Sequence, residues 1–235
     1  MSSLKKVYLN HLGVISCLGS DKKENLNAFL SGRNSYFTIS DLFSSGKNHS
    51  LGMVTTHLPE VPEHLSLFNC RNSQLALAAV LQIKSEIDAA IQLYGSNRVI
   101  VLAASSTTGI KECESLFKKP ITEKINLYKV QEMGSVSEFI YRYLNLDSFH
   151  FTISTACSSS AKVLASAHRL IASDLCDAVI TVGADTLSLL TVQGFDSLEA
   201  VSTEACLPFS ANRKGINVGE GAAAFLITRE PSNDG

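Results

Sequence analysis

The chain has 235 residues, of which 45% are hydrophobic and 18% are charged, and its formal net charge is -2. These values are typical of a globular protein with a sizeable core, and they give no reason to expect nucleic acid or an anionic membrane as its main partner. No apolar run approaches the ~18 residues of a membrane span. The short apolar run near the N-terminus is broken by Asn10 and His11, which is unlike a secretion signal. We therefore expect a cytoplasmic protein.

The cysteine pattern argues against a metal centre and against a disulfide scaffold. Six cysteines are spread over positions 17, 70, 113, 157, 176 and 206, and no CxxC pair occurs. The glycine-rich signatures of nucleotide-binding loops are also absent from the sequence. We expect reduced cysteines, no metal and no other cofactor.

In chain order, the sequence alternates apolar runs with helical patterns. Residues 5–17 predict a first strand. Residues 22–31 predict a helix with Leu26, Phe29 and Leu30 on one face, ended by Gly32. Residues 33–69 read as loops with short elements. The later predictions are a long helix over 72–94, a strand over 98–104, a helix over 128–143, a strand over 150–154, a helix over 158–172, a strand over 177–183, a helical or looped stretch over 186–200 and a strand over 219–227. Buried strands alternating with helices predict an α/β fold with a mixed, largely parallel sheet.

One cysteine lies where chemistry is favoured. Cys157 stands between the end of a predicted strand and the start of a predicted helix. The helix N-terminus carries partial positive charge and unpaired N–H groups, which favour a thiolate and can hold a developing oxyanion. Cys157 is therefore a candidate acyl-enzyme nucleophile, although a buried structural cysteine is the commoner case. The helix that follows has small or apolar side chains on nearly every face, which predicts that protein surrounds it.

The residues around Cys157 resemble a known family. The run TACSSSA at 155–161 is similar to the nucleophile motif of the β-ketoacyl-acyl-carrier-protein synthases, members of the thiolase superfamily. Further segments resemble that family in the same order along the chain, namely LGVIS at 12–16, DAVITVGAD at 177–185, GFDSLEAVS at 194–202, PFS at 208–210 and GEGA at 219–222. Departures from the pattern include Asn10-His11 and Lys214-Gly215-Ile216, which suggest a divergent subfamily.

The resemblance implies one half of a thiolase-like fold, with residues 1–235 forming the N-terminal half and the nucleophile helix packed between two sheets. It implies acyl transfer from an acyl-carrier protein to Cys157, followed by decarboxylative Claisen condensation with malonyl-carrier protein. The family's two active-site histidines belong to the second half. We therefore expect this chain alone to be incomplete for condensation, to expose an apolar face, and to self-associate or bind a partner. Family members are typically homodimers, which pair through the strand that corresponds to 149–154.

Other site residues are expected from the same motif match. Thr107 and Phe195 would line the acyl pocket. Ordinary core packing is the other interpretation of both residues, and for Phe195 the two roles are compatible. Arg71 would dock the acidic carrier protein. Weaker docking candidates, for which a solvated surface charge is the default interpretation, are Lys118, Lys119, Lys124 and Lys129. A structural hydrogen bond is the expected role of Glu220.

Three other functions remain open at this stage. A non-catalytic partner of the chain-length-factor type shares the fold, but such partners usually lack the cysteine that this chain keeps. A coenzyme A-dependent acyltransferase of the same superfamily is less favoured by the motifs. An unrelated cysteine hydrolase needs a partner histidine, and none of the six histidines lies in a suitable motif.

Overall fold

The computed structural model describes residues 6–32, 36–43, 46–116 and 127–232. The strands are β1 (Tyr8–Ser16), β2 (Thr38–Ser40), β3 (His49–Leu51), β4 (Val99–Ala104), β5 (His150–Ile153), β6 (Ala178–Asp185) and β7 (Gly221–Thr228). The helices are α1 (Lys22–Ser31), α2 (Arg71–Leu81), α3 (Lys84–Tyr94), α4 (Ile110–Leu116), α5 (Tyr128–Gln131), α6 (Ser135–Tyr143), α7 (Ser159–Ala172) and α8 (Leu189–Ser197), with a 3-10 helix at Glu63–Phe68.

A five-stranded mixed sheet organises the chain in the order β1-β7-β6-β4-β5. β4 runs parallel to both β5 and β6, whereas β7 is antiparallel to β6 and to β1. The expected α/β class and mixed sheet are confirmed. The expectation of a largely parallel sheet is also confirmed, because β1, β4, β5 and β6 run in the same direction. Within this sheet β7 runs the opposite way between β1 and β6, a reversal that a buried apolar run does not reveal.

Helices cover the sheet on both faces because its central strand is apolar on both sides. In β4, Val99 and Val101 belong to the core that includes Leu75 of α2 and Phe139 of α6. On the opposite face, Ile100, Leu102 and Ala104 pack with Val163, Ala167 and Ile171 of α7. The sheet therefore lies between α2 and α6 on one side and α7 on the other. Among the helices in the described ranges, none has the length and hydropathy that crossing a bilayer requires.

The predicted helix over 72–94 is wrong as a single element, because it breaks at Gln82 and Ile83. The Gln82 amide nitrogen donates to the carbonyls of Val14 (3.0 Å) and Ser20 (2.9 Å), and its amide oxygen accepts from the Val14 N–H (3.1 Å). Ile83 leaves the helical region (φ -123°, ψ 23°). The side chain of Gln82 thus binds β1 at the point where the chain bends, and glutamine's good helix propensity gives no warning of this.

The predicted helix over 128–143 is likewise divided, since Glu132 is extended (φ -59°, ψ 131°) between α5 and α6. By contrast, α1 has the predicted bounds. The Asp21 side chain accepts from the Glu24 N–H, and Gly32 ends the helix in the left-handed region (φ 62°). The apolar face of α1 is nevertheless open, with Leu26, Phe29 and Leu30 at 54%, 73% and 71% exposure.

The α7 helix is not surrounded by protein in this chain. Val163 and Ala167 face the sheet, but Ala161 and Ala165 on the other side are exposed. No element among the described residues covers that outer face. The composition of α7 is therefore that of a buried helix, while this chain supplies the packing for one side of it.

Candidate active site

Three parallel strands end at the same edge of the sheet, and the site lies there. β5, β4 and β6 are neighbours in the sheet with the same direction. The carboxyl ends of parallel strands, and the segments that leave them, form the usual binding crevice of such sheets. Cys157 follows β5, Thr107 follows β4, and Asp185 ends β6. Sequence positions between 28 and 78 residues apart are thus brought together.

A cleft of about 630 Å³ opens at this edge, within the range of small-molecule sites. Its polar side comes from the segments after β4 and β6, and its apolar side comes mainly from α8. The lining residues are Ser106, Thr107, Ala156, Cys157, Asp185, Thr186, Leu190, Thr191, Gly194, Phe195, Leu198 and Gly219. The predicted nucleophile and both predicted pocket residues are among them. The structure therefore brings Cys157, Thr107 and Phe195 into one cavity.

A strained turn presents Cys157 to the cleft. Ala156 has a left-handed backbone (φ 53°), which costs a non-glycine residue roughly 1–2 kcal/mol. Ser159 fixes the turn, because its Oγ accepts from the Thr155 N–H (2.8 Å) and donates to the Ala156 carbonyl (2.7 Å). The Cys157 thiol is free and exposed at the start of α7. The local sequence therefore holds the sulfur in the open at a helix N-terminus.

Exposure distinguishes Cys157 from the other cysteines of the chain. Cys157 precedes the first residue of α7 by two positions and is exposed. Burial raises the pKa of the Cys17 and Cys70 thiols, and it raises that of Cys176 to about 12. Those thiols are therefore held protonated and shielded at neutral pH. Cys157 is the exposed thiol at a cavity large enough for an acyl group.

Thr107 lies at the polar side of the cleft within a dense hydrogen-bond network. Its hydroxyl donates to Asp185 Oδ1 (2.8 Å) and accepts from the Thr186 N–H (2.8 Å). The same Asp185 oxygen accepts from the backbone N–H groups of Ser106 (2.8 Å) and Thr107 (3.0 Å). The Thr107 side chain is therefore held in one orientation beside the cavity.

Phe195 lies on the apolar side of the cleft. It is half-buried on α8 and packs against the cluster that includes Leu51, Leu187 and Val192. Leu190 and Leu198, at 65% and 73% exposure, extend this surface. Core packing and lining of the cavity are compatible for Phe195, as the sequence suggested.

Arg71 is held by contacts inside the chain. Its guanidinium donates to both carboxylate oxygens of Glu220 (2.8 and 2.6 Å) and to the Val54 carbonyl (2.7 Å). The Glu220 side chain is 1% exposed and that of Arg71 23%. Docking by Arg71 stays a prediction, but its contacts favour a structural role, and Glu220 makes the expected structural bonds.

The lysines predicted for docking are differently placed. Lys118, Lys119 and Lys124 lie outside the described residues. Lys129 pairs with Glu132 (2.6 Å) and with Glu138.

Among the described residues that line the cleft, none is a histidine. His150 contacts the Ser137 hydroxyl (3.2 Å), and burial lowers its pKa. No three histidine, cysteine, aspartate or glutamate side chains converge as metal ligands within the described ranges. The groups at the cleft can thus supply a nucleophile, hydroxyls and one carboxylate.

Two acidic residues near the cleft were missed as functional candidates by the sequence analysis. Asp185 was noted only as part of a motif, and Glu114 was not considered. Glu114 accepts from the backbone N–H groups of Leu189 and Leu190, both at 2.7 Å. The position of Asp185 at the end of a predicted parallel strand was a usable signal. Glu114 had none, because an isolated acid on a short helix is usually a solvated surface charge.

Comparison with known proteins gives a consistent match. A family model described as β-ketoacyl synthase, N-terminal domain, matches residues 72–233. The 3-oxoacyl-[acyl-carrier-protein] synthase 1 of Buchnera aphidicola subsp. Baizongia pistaciae is 25% identical over 95% of this chain and 59% of its own length. The corresponding protein of Haemophilus influenzae is 23% identical with the same coverage. The chain thus spans about 59% of the length of these relatives.

Solved structures match over the same extent. A complex of a ketosynthase with its chain length factor from Xenorhabdus doucetiae contains a chain that matches with a TM-score of 0.88 and 38% identity, over 97% of this chain and 59% of that one. A β-ketoacyl synthase from Burkholderia phymatum matches with a TM-score of 0.80 at 22% identity, which shows the likeness of fold. The fold predicted from the motifs, thiolase-like and α/β, is confirmed.

Proposed function

The chain belongs to the β-ketoacyl synthase family, as its N-terminal domain, and we propose that Cys157 accepts the acyl group in a decarboxylative condensation. One observation carries the proposal. Cys157 is an exposed, free thiol that a strained turn holds at the start of α7, and it opens into a cleft of about 630 Å³. A structural cysteine requires neither the exposure nor the strain.

The proposed reaction has two stages. The Cys157 thiol gives up its proton, and the thiolate attacks the carbonyl carbon of an acyl thioester on the phosphopantetheine of a carrier protein. The bond from that carbon to the carrier sulfur breaks, and the carrier thiolate leaves and takes up a proton. Malonyl-carrier protein then loses CO₂, and the resulting carbanion attacks the acyl-enzyme. The product is a β-ketoacyl thioester two carbons longer, and Cys157 is released. Thr107 and Phe195 would contact the acyl group from the polar and apolar sides of the cleft.

We propose that the second stage requires residues beyond this chain. The described residues that line the cleft include no histidine, and general acid–base groups typically contribute 10²–10⁴-fold to such steps. The relatives are longer than this chain, and their additional length is the proposed source of these groups. The open outer face of α7 and the exposed apolar face of α1 are surfaces that the additional residues, or a partner that supplies them, would cover. Accordingly, light scattering should find self-association of the isolated chain, and a monodisperse monomer would count against this point.

A homodimer, and a cytoplasmic location, complete the proposal. β5 is an edge strand that pairs with β4 on one side. Phe149 and Phe151 are 43% and 36% exposed and stack on each other, with ring centroids 6.3 Å apart. An exposed edge with apolar side chains is a template for strand pairing. We propose antiparallel pairing of β5 with its twofold mate. Replacing Phe151 with lysine should lower the dimer fraction in sedimentation velocity, and an unchanged fraction would exclude this interface.

A second candidate is a non-catalytic partner of the chain-length-factor type, because the ketosynthase from Xenorhabdus doucetiae was solved with such a partner. The presence of Cys157 favours the catalytic function over that of a non-catalytic partner. Incubation with octanoyl-carrier protein distinguishes the two functions. The enzyme reading predicts stoichiometric loss of octanoyl from the carrier protein, no loss with the Cys157→Ala variant, and no β-ketoacyl product from the chain alone. Equal loss with the Cys157→Ala variant would refute the proposed role of the cysteine.

A further inference from the structure

The two sides of the cleft belong to two segments of the chain. The β4 exit segment, residues 105–116, supplies Ser106 and Thr107 and continues into α4. The β6 exit segment, residues 185–198, supplies Asp185 and Thr186 and continues into α8 with its apolar side chains. The separation of these segments sets the width of the cavity beside Cys157. What holds them together therefore decides which groups fit.

Asp185, at the start of the β6 exit segment, binds the β4 exit segment. Its Oδ1 accepts from two consecutive backbone N–H groups, those of Ser106 and Thr107. The same oxygen accepts from the Thr107 hydroxyl (2.8 Å) and the Ser105 hydroxyl (3.3 Å). Four donors on one carboxylate oxygen hold the loop tightly, since hydrogen bonds to an ionised acceptor are stronger than neutral ones.

Glu114 makes the reverse contact. It lies on α4 in the β4 exit segment, and its two carboxylate oxygens accept from the Leu189 and Leu190 N–H groups at the start of α8. These N–H groups have no acceptor within their own helix, and the negative charge also complements the positive end of the α8 dipole. Glu114 therefore fixes the first turn of the helix that carries Phe195.

The two carboxylates are reciprocal, because each segment donates backbone N–H groups to an acid of the other. We propose that Asp185 and Glu114 form a clasp that fixes the distance between the two sides of the cleft and thereby determines which acyl groups reach Cys157. This inference rests on the proposed acyl transfer. Both acids are positioning residues, since they act through Thr107 and α8 rather than on the reacting atoms.

The test measures access to Cys157 independently of acyl transfer. The full chain is treated with N-ethylmaleimide or N-octylmaleimide, and the rate of labelling at Cys157 is followed by peptide mass mapping. In the unmodified chain, the octyl reagent should react at least about tenfold faster, because the apolar side of the cleft buries its methylene groups. In the Asp185→Asn and Glu114→Gln variants, this ratio should fall at least about fivefold, while labelling by N-ethylmaleimide stays within about twofold.

Matched variants control for a general loss of structure. Asp177→Asn changes the acid just before β6, the strand that Asp185 ends. Asp177 pairs with Arg98 (2.6 Å) and does not line the cleft. Glu112→Gln changes an acid of α4 that accepts from the Arg71 N–H at the start of α2. Both should keep the ratio of the unmodified chain. If either clasp variant fails to fold, Thr107→Val removes the hydroxyl shared by Asp185 and Thr186 and should lower the ratio in the same way.

The clasp would be refuted by an unchanged ratio in folded clasp variants, by an equal fall in the control variants, or by the absence of octyl preference in the unmodified chain. A clasp-dependent ratio without any acylation from carrier protein would instead leave the clasp standing and count against the proposed function. The two ideas therefore fail separately.

Discussion

Replacing Arg71 with methionine tests whether this residue holds the fold or serves a partner. The guanidinium forms a bidentate pair with Glu220 and also binds the Val54 carbonyl. Methionine keeps an unbranched apolar chain but leaves the Glu220 carboxylate, 1% exposed, with the Val54 N–H (3.1 Å) as its remaining hydrogen-bond donor among those described.

Removing one partner of a buried pair typically costs 3–5 kcal/mol. Because Arg71 is 23% exposed, we expect the lower end, about 3 kcal/mol of unfolding free energy. Glu220→Gln should cost about 1–2 kcal/mol, since the remaining guanidinium reaches solvent and the amide oxygen still accepts a hydrogen bond. The double variant should lose less than the sum of the two, because the single changes share one interaction.

The pH dependence gives a second, independent readout. Burial would raise the pKa of Glu220, but the hydrogen bonds and charge of Arg71 outweigh it, so the pKa lies below its usual value. The pair therefore stabilises the fold fully above the unfolded pKa near ~4.3, and this contribution is lost as the pH falls through the folded pKa. Without Arg71, only the Val54 N–H and the charge of Lys111 still oppose burial, so we expect the folded-state pKa of Glu220 to rise and the protonated acid to be favoured. The stability gap between the two proteins should therefore narrow as the pH falls from 7 to 4.

Urea unfolding followed by circular dichroism at both pH values measures this gap. Carrier-protein affinity is measured on the same variants. A loss below about 1 kcal/mol with no pH dependence would refute the structural role. A loss of carrier-protein binding without a loss of stability would instead support docking by Arg71.

Three further changes test the turn, the loop and the apolar side of the cleft. Ala156→Gly should raise the unfolding free energy by about 0.5–1 kcal/mol, because relief of the left-handed strain exceeds the added backbone entropy, and thermal unfolding would reveal it. Gly109→Ala should lower the unfolding free energy by at least about 2 kcal/mol, since φ is 65° and a Cβ would lie 2.4 Å from the Val130 carbonyl oxygen; a neutral result in urea would contradict the loop geometry. Phe195→Ala should slow octanoyl transfer about tenfold relative to acetyl transfer, and equal slowing of both would argue against contact with the acyl chain.

The sequence predicted those elements whose determinants are local. Gly32 defined the end of α1 in the sequence, and the continuous apolar run of β4 predicted a buried strand. Cys157 could be predicted for the same reason, because recognising a cysteine at a strand–helix junction within a family motif requires no knowledge of a distant partner. Its exposure and the left-handed backbone of Ala156 were added by the structure.

Features that depend on distant contacts were not predictable. The break at Gln82 depends on the backbone of β1, where Gln82 contacts Val14, 68 residues away in sequence. The Arg71 pair depends on Glu220, 149 residues away. Asp185 and Glu114 acquire their roles only when the segments after β4 and β6 lie side by side. A single acid in a sequence carries no information about which backbone N–H groups it will meet.

The most direct test of the central claim is peptide-mapped mass spectrometry of all six cysteines after incubation with octanoyl-carrier protein. We predict an octanoyl adduct on Cys157 and on no other cysteine, lost on hydroxylamine treatment as expected of a thioester. An unmodified Cys157 that still reacts with N-ethylmaleimide, or an adduct spread over several cysteines, would contradict its role as the acyl-accepting nucleophile.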